Sequence, residues 1–299
     1  MNILITGGTG LIGTALYTKL RHQHQLTVLT RDPNHAYQRL GHDIRAIQSL
    51  AQLNHLDEFD AVINLAGEPI AGKRWTKQQI SRIEQSRFQI TEQLVQLFQA
   101  SNQPPTVLIS GSAIGYYGRQ GRHPVTESNY HAYNEFTHRL CAQWEALALQ
   151  AESAQTRVCL LRTGVVLSPR GGALAQMALP FKLGIGGPIS DGQQMMSWVH
   201  LDDVVEIILF LLHHETLNGP FNATAPQPVS NNEFSRTLAA TLNRPCVLRV
   251  PSFVMRILLG DMAEMLLTGQ AVLPERLQKS GYQFRHSNLE DALRACLRK

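Results

Sequence analysis

The sequence of 299 residues predicts an α/β fold, with a doubly wound parallel sheet followed by a small, mainly helical C-terminal lobe. The first half alternates short β-rich runs with amphipathic stretches, which is typical of parallel strands joined by crossover helices. The second half is less regular and has two capping boxes, Ser230 with Glu233 and Ser287 with Glu290. Each box predicts the start of a helix.

The local patterns predict the individual elements. In chain order these are strand 2–5, helix 11–22, strand 26–30, strand 61–65, helix 76–100, strand 107–110, helix 135–151 and strand 157–161. The apolar run 204–212 predicts a buried helix, because it contains Glu206 and is far too short to span a bilayer. We place the domain boundary after residue 225, which gives an α/β domain of residues 1–225 and a lobe of residues 226–299.

Composition narrows the class of protein. The net charge of +4 is unclustered, whereas nucleic-acid-binding proteins concentrate basic residues on one face. The four cysteines form no C-x-x-C pair, so no metal site is predicted and a reducing compartment is favoured. No signal peptide precedes the strand that begins at Asn2. We therefore expect a cytoplasmic protein without nucleic-acid or membrane partners.

A glycine-rich run, Gly7-Gly8-Thr9-Gly10-Leu11-Ile12-Gly13, follows the first strand and opens the first helix. In a dinucleotide-binding loop, the first glycine permits a tight turn, the second lets backbone approach the pyrophosphate, and the third lets the helix pack on the sheet. A glycine-rich turn without a ligand is the alternative, but the position within a βαβ pattern favours binding. The run predicts a Rossmann-type cofactor site at Gly7, Thr9, Gly10, Leu11, Ile12 and Gly13.

The end of the second strand decides which dinucleotide is expected. An NAD site usually has Asp or Glu there, whereas this chain has Thr30-Arg31. A guanidinium can donate charge-assisted hydrogen bonds to a 2′-phosphate, worth roughly tenfold to a hundredfold in affinity. Asp32 could instead hold a ribose hydroxyl, but it precedes Pro33 and favours a turn. We predict NADPH (NADP) as the cofactor, the alternative for Arg31 being a solvated loop charge.

Several segments resemble the extended short-chain dehydrogenases/reductases, the group that contains nucleotide-sugar epimerases and dehydratases. The matching segments are the glycine loop, 64–67, 110–113 with 117–118, 162–169 and 198–203. Three stretches, 64–70, 112–118 and 183–188, are similar to the "epimerase family protein" branch, which has its own C-terminal domain. This resemblance spans essentially the whole chain and implies an NADP-binding fold of undetermined chemistry.

The resemblance also implies site residues. Thr30 and Arg31 would face the adenosine ribose, and Arg87 would lie near the nicotinamide ribose unless it is an ordinary surface arginine. The segment beside the cofactor would be Leu65, Ala66, Gly67 and Glu68. Relatives often dimerise through the helices represented here by 76–100 and 135–151, so a homodimer is a further expectation.

The catalytic pattern of these relatives is incomplete in this chain. They use Ser, Tyr and Lys, with Tyr and Lys four residues apart on one helix face. None of the seven tyrosines has a lysine four residues later. Alignment through Glu145 puts Thr137 at the Tyr position and Cys141 at the Lys position. Only the serine, Ser112, is kept.

Other side chains are therefore candidates for the missing acid. Tyr116 or Tyr117 could supply a proton beside Ser112, although a packing role is equally compatible with the sequence. Glu68, Arg87 and His200 are further pocket candidates; a histidine before two aspartates is more typical of a hydrogen-bonded structural residue.

The substrate side of the sequence also departs from the nucleotide-sugar enzymes. Val165 stands where they have an asparagine near the substrate diphosphate, and valine cannot hydrogen-bond through its side chain. A more apolar pocket is suggested by Phe181, Leu183, Met195, Met196 and Trp198, for most of which core packing is the stronger alternative.

Two hypotheses for the function remain. One is an NADPH-dependent oxidoreductase or epimerase acting on an unidentified small molecule, and the other is a non-catalytic NADPH-binding sensor or scaffold.

Overall fold

The computed structural model describes residues 1–297. Its strands are β1 (Asn2–Thr6), β2 (Gln25–Leu29), β3 (Ile44–Ile47), β4 (Ala61–Asn64), β5 (Val107–Ala113), β6 (Pro124–Val125), β7 (Arg157–Thr163), β8 (Val165–Leu167), β9 (Met195–Met196), β10 (Trp198–His200), β11 (Gly219–Ala223), β12 (Val229–Ser230) and β13 (Ala271–Val272). Its α-helices are α1 (Leu11–Leu20), α2 (Pro33–Leu40), α3 (Lys77–Ala100), α4 (Phe136–Ala148), α5 (Ala173–Lys182), α6 (Leu201–His213), α7 (Asn231–Thr241), α8 (Ser252–Leu259), α9 (Ala263–Leu267), α10 (Glu275–Lys279) and α11 (Leu289–Leu297).

Seven strands form one parallel sheet in the order β11-β7-β5-β4-β1-β2-β3. The chain runs outward from β1 through β2 to β3, then crosses back to β4 and continues in the opposite direction. The predicted doubly wound α/β fold is therefore confirmed, and its topological switch point lies between β1 and β4.

Helices cover both faces of the sheet, because consecutive strand residues point to opposite sides. Ile3 and Ile5 of β1 belong to the core under α1 and α6, whereas Leu4 belongs to the core shared with α3. The apolar run of α6 is buried as predicted. No helix within residues 1–297 combines the length and apolarity needed to cross a bilayer.

The C-terminal part is mainly helical, as predicted. Helices α7 and α11 pack together, and a third core joins them to Trp198 and Phe181. These two aromatic residues are core residues, so the core-packing alternative holds for them. The short pair β13–β6 ties this part to the sheet domain. The division at residue 225 stays a prediction.

The capping boxes have different outcomes. Ser230 Oγ accepts the Glu233 N–H at 3.2 Å and begins α7 as predicted. The box Ser287 with Glu290 is wrong, since Asn288 Oδ1 accepts the Glu290 and Asp291 N–H groups at 2.9 and 3.3 Å. An asparagine immediately before the first turn caps as well as serine does, and it begins α11 one residue later.

Candidate functional site

The candidate cofactor site lies at the carboxyl edge of the sheet, where all seven parallel strands end. The loops after β1 and β4 meet there across the switch point. Open α/β sheets bind their ligands in this crevice, because the chain leaves neighbouring strands in opposite directions and leaves space between the loops.

Steric contacts explain the glycines of the first loop. Gly7 has φ +69°, and a Cβ placed on it would lie 2.5 Å from the Leu65 carbonyl oxygen. A Cβ on Gly13 would lie 2.4 Å from the Gly7 carbonyl oxygen. Gly10 is the N-cap of α1 and has no side-chain cap. The N–H groups at the start of α1 are thus not covered by a capping side chain, as a phosphate site requires.

A buried polar network fixes the two loops relative to each other. Thr6 Oγ1 donates to Asn64 Oδ1 at 2.6 Å and accepts the Ala66 N–H at 3.2 Å. Asn64 Nδ2 donates to Thr91 Oγ1 at 3.0 Å, and Trp144 Nε1 donates to the same oxygen at 3.0 Å. The network links β1, β4, α3 and α4. The sequence analysis missed it, although Thr6 and Asn64 each end an otherwise apolar strand.

The residues after β2 begin a helix that was not predicted. Asp32 Oδ1 accepts the His35 N–H at 3.0 Å and caps α2, which begins at Pro33. Asp32 therefore caps a helix, where its sequence context favoured a turn. Arg31 is exposed beside it.

The loop after β4 carries the residues predicted beside the cofactor. Glu68 Oε1 forms a salt bridge with Lys73 Nζ at 3.0 Å, and the hydrogen bond within this salt bridge lowers the pKa of Glu68. The positive charge of Arg31 makes a smaller contribution to the same lowering of the Glu68 pKa.

Arg87 is not an ordinary surface arginine. Its Nη1 donates to the Glu68 carbonyl oxygen at 3.0 Å, and its guanidinium lies 5.1 Å from the Trp144 ring centroid. A Cβ on Gly67 would lie 2.9 Å from Arg87 Cζ. Burial lowers the pKa of Arg87, and the negative charge of Glu68 counteracts part of that effect. Arg87 therefore supports the backbone of residues 67–68 by packing against Gly67 and donating to the Glu68 carbonyl.

Ser112 lies near the end of β5, and its hydroxyl proton already takes part in a hydrogen bond. Its Oγ donates to Glu145 Oε1 at 2.6 Å. Glu145 also accepts two hydrogen bonds from Arg162, at 2.8 and 2.7 Å, in a salt bridge whose side chains are only 3% and 5% exposed. In this arrangement the Ser112 oxygen can accept a further hydrogen bond but cannot donate one.

The two tyrosines after β5 differ in access. Tyr117 is fully buried; its hydroxyl donates to Asn222 at 2.7 Å and accepts from Arg162 at 3.0 Å. Tyr116 is partly exposed, and the Arg162 guanidinium lies 3.5 Å from its ring centroid. Burial raises the pKa of each phenol to about 12, so both are protonated at neutral pH.

Thr137 and Cys141 lie on the face of α4 beside the turn 114–117. A Cβ on Gly115 would lie 3.1 Å from Thr137 Cβ and 3.6 Å from Cys141 Sγ. Burial raises the pKa of Cys141 to about 12, so this position carries no charge at neutral pH. The positive charge of Arg87, on α3, counteracts part of this rise in the Cys141 pKa.

His200 has a structural contact. Its Nδ1 accepts the Asp202 N–H at 3.1 Å and caps α6. Its ring stacks on His286 with the centroids 3.8 Å apart.

The buried ion pair of Glu145 and Arg162 was not predicted as part of the site. Its signal was present in the sequence, as one charged residue on the apolar face of α4 and one within an apolar strand.

Comparison with known proteins places this geometry in a family. The model of the NAD-dependent epimerase/dehydratase family matches residues 3–223, and a domain of unknown function, DUF1731, matches residues 250–296. The chain belongs to the NAD-dependent epimerase/dehydratase family. The predicted resemblance to the extended short-chain dehydrogenases/reductases is confirmed.

Two relatives match along their whole length. An epimerase family protein of Staphylococcus aureus strain MRSA252 is 39% identical over 297 residues, 99% of each chain. The crystal structure of human epimerase family protein SDR39U1 (isoform 2) with NADPH is 34% identical, covers 99% of both chains and has a TM-score of 0.90. The predicted branch, including its own C-terminal domain, is therefore confirmed as well.

A more distant relative shows how far the shared fold extends. The nucleoside-diphosphate sugar epimerase of Corynebacterium glutamicum is 30% identical with a TM-score of 0.75, and the match covers 98% of this chain but 57% of that one. The family thus includes proteins named for sugar-nucleotide chemistry.

Proposed function

We propose that the chain binds NADPH in the crevice between the loops after β1 and β4. The observation that carries this proposal is the close backbone packing at Gly7 and Gly13 beside the uncapped start of α1, which we call the glycine cradle. Arg31 is exposed just after the neighbouring strand β2. The human relative SDR39U1 was crystallised with NADPH, which supports the same cofactor here. In this arrangement Gly7, Thr9, Gly10, Leu11, Ile12 and Gly13 line the pyrophosphate, Thr30 and Arg31 face the adenosine ribose, and Leu65, Ala66, Gly67 and Glu68 run beside the nicotinamide half, supported by Arg87.

Arg31→Met is expected to weaken NADPH binding roughly tenfold to a hundredfold, with NADH affinity changing much less. The substitution removes the charge-assisted bonds to the 2′-phosphate, which NADH lacks. Isothermal titration calorimetry with both cofactors checks this. Arg21→Met is the matched control, since Arg21 is an exposed arginine that follows the carboxyl end of α1, away from the glycine loop. Equal loss of both cofactors, or no loss of either, would argue against the proposed role of Arg31.

We further propose that the chain is an oxidoreductase or epimerase-like enzyme whose proton donor is Tyr116. Bound NADPH would supply the hydride. Among the tyrosine candidates, Tyr116 is partly exposed, whereas Tyr117 is fully buried. The Tyr116 hydroxyl lies 3.2 Å from the Tyr130 hydroxyl, and its raised pKa keeps it protonated at neutral pH. The Arg162 cation on its ring favours the phenolate, and so compensates in part for the absent lysine.

The other members of the buried network hold this donor in place. Arg162 is fixed by Glu145 and by the Tyr117 hydroxyl. Ser112 donates its hydroxyl proton to the same Glu145 carboxylate, so its oxygen is available only to accept a hydrogen bond, for example from a substrate hydroxyl group. Tyr117 also packs edge-on against the Tyr116 ring, with the centroids 5.7 Å apart. Val165, at the position implied for the diphosphate-binding asparagine of the nucleotide-sugar enzymes, has no hydrogen-bonding side chain.

A panel of aldehydes and ketones tests this second proposal. The wild-type protein is expected to oxidise NADPH with at least one of them, and Tyr116→Phe is expected to lower kcat roughly a hundredfold with little change in NADPH affinity. Tyr37→Phe is a control of the same chemistry, since Tyr37 lies on α2. No oxidation across the panel, with NADPH still bound, would instead favour the non-catalytic sensor or scaffold, which the buried, uncharged Thr137 and Cys141 positions also support.

A further inference from the structure

Two buried histidines meet where α6 begins. The ring centroids of His200 and His286 lie 3.8 Å apart, and the ring planes are tilted by 32°. His200 is 4% exposed, and the side chain of His286 is 12% exposed. Within residues 1–297, neither Nε2 atom has a hydrogen-bond partner, although both are buried. Such atoms cost free energy, so this histidine pair (His200 and His286) calls for a physical explanation.

His200 can keep its hydrogen bond only while it is neutral. Its Nδ1 accepts the Asp202 N–H at 3.1 Å, which makes His200 the N-cap of α6. A neutral imidazole has one acceptor nitrogen, whereas both nitrogens of an imidazolium are donors. Protonation would therefore remove the cap and set two N–H groups against each other. Because the neutral ring carries its proton on Nε2, that nitrogen cannot bind a metal ion in this arrangement.

The charges around the histidine pair act in opposite directions. The Asp202 carboxylate lies 3.7 Å from His200 Nδ1 and 3.8 Å from His286 Nε2, and Arg285 lies 3.8 Å from the same carboxylate. Burial lowers the pKa of His200, and positive charge on His286 or Arg285 lowers it further. Asp202 and Asp203 counteract only part of this effect. The folded state thus favours the neutral form of His200.

The same turn of α6 holds the segment that leads into α11. Asp203 is fully buried and accepts the Arg285 and His286 N–H groups at 2.8 and 2.9 Å. The Tyr282 hydroxyl donates to this carboxylate at 3.1 Å. From α11 itself, Cys296 faces Asp202, and burial raises the pKa of its thiol to about 12, so it adds no charge. The attachment of 282–297 to the sheet domain therefore depends on the start of α6.

We propose that the histidine pair and Asp203 form a pH-sensitive clasp, which holds the segment 282–297 on α6 near neutral pH and loosens it when the pair takes up protons. Neither NADPH binding nor catalysis enters this inference. A proton on His200 removes the cap of α6, and a second proton on His286 places two cations 3.8 Å apart.

The sign of the pH dependence follows from the direction of the pKa shift. Because the pKa of His200 is lowered in the folded protein, the unfolded chain binds the proton more readily. The clasp therefore contributes its full stability above about pH 6.5, the usual value for histidine, and loses it as the pH falls below that value. Its opening would weaken the packing of α11 on α7 in the core of the C-terminal part.

Hydrogen exchange of the full chain, followed by mass spectrometry, tests the clasp. The protection of the backbone amides of 282–297 is compared at about pH 7.5 and about pH 5.5, after correction for the intrinsic exchange rate at each pH. The opening equilibrium of this segment is expected to rise at least about threefold, with a ceiling of about tenfold per pH unit for each proton taken up. Peptides from β1 and β4 are expected to keep their protection.

Three variants assign the effect. His200→Asn removes the titrating ring but keeps a capping side chain, since asparagine is among the best N-cap residues, so the protection of 282–297 should be equal at both pH values. His286→Phe keeps a ring for stacking and removes the second charge, so it should reduce the pH dependence. His55→Asn is the matched control at a 51% exposed histidine beside Asp57, and it should behave as the wild type does.

Equal protection of 282–297 at both pH values in the wild type would overturn the inference, as would wild-type pH dependence in His200→Asn. An equal loss of protection in β1 and β4 would also overturn it, since acid would then weaken the whole fold. If circular dichroism shows that His200→Asn does not fold, an NMR titration of the wild-type His200 Cε1–H signal decides. This signal is expected to titrate below about pH 6.5, and titration at or above that value would contradict the clasp.

Discussion

Gly13→Ala is expected to lower the affinity for NADPH roughly a hundredfold. The added Cβ would lie 2.4 Å from the Gly7 carbonyl oxygen and 2.6 Å from the Gly8 Cα. Both contacts are with backbone, so no side chain can rotate away. Either α1 moves off the sheet or the loop 7–10 shifts, and both changes displace the N–H groups that would hold the pyrophosphate. Calorimetric titration with NADPH measures the loss.

Two further variants separate binding from folding. Gly10→Ala meets one backbone oxygen at 3.1 Å, so the fold should tolerate it while the methyl group obstructs the pyrophosphate. Gly121→Ala is the control, because Gly121 has φ +69° but no atom lies within 4 Å of the point that its added Cβ would occupy. The proposed role of the glycine cradle would be contradicted if both Gly13→Ala and Gly10→Ala bound NADPH within about twofold of the wild-type affinity.

Arg162→Met is expected to lower the free energy of unfolding by about 3–5 kcal/mol. The substitution leaves Glu145 as an unpaired buried carboxylate, and it also removes the donor to the Tyr117 hydroxyl. Five elements meet at this network: β5, the turn 114–117, α4, β7 and β11. The loss of one cation should therefore affect the packing of all of them. Urea unfolding followed by circular dichroism measures the change.

Arg45→Met provides the comparison for a surface pair. Arg45 and Glu58 form a salt bridge with 53% and 48% exposed side chains, and breaking it should cost about 0–1 kcal/mol. A similar small loss for Arg162→Met would mean that the buried pair contributes no more than a surface pair. That result would also mean that the network does not hold Tyr116 in place.

The strands of the sheet were predictable where their residues are buried on both faces. The runs 61–63 and 107–109 are entirely apolar, as is typical of buried parallel strands. Ile44–Ile47 and Gly219–Ala223 were not predicted. The first includes a charged arginine at the edge of the sheet, and the second begins with Gly-Pro, so their strand structure depends on the neighbouring strand.

The cofactor loop was predictable because its chemistry is local. Gly10 and Gly13 pack on backbone of the same seven-residue segment, and only Gly7 packs on backbone from another loop, at Leu65. The surroundings of the candidate acid were not predictable in this way. Glu145 and Arg162 are 17 residues apart, and Tyr117 and Asn222 are 105 residues apart, so only the folded sheet brings them together.

By itself, the sequence determined the α/β class, the family, the glycine cradle, and the loss of the tyrosine and lysine from α4. These features depend on residue type, on spacing and on contacts within one βα unit. Only the folded structure shows that Tyr117 is buried while Tyr116 is partly exposed, and that Arg87 supports the loop after β4. Each of these depends on contacts between residues far apart in the chain, and such contacts are fixed only when the sheet and its covering helices have packed.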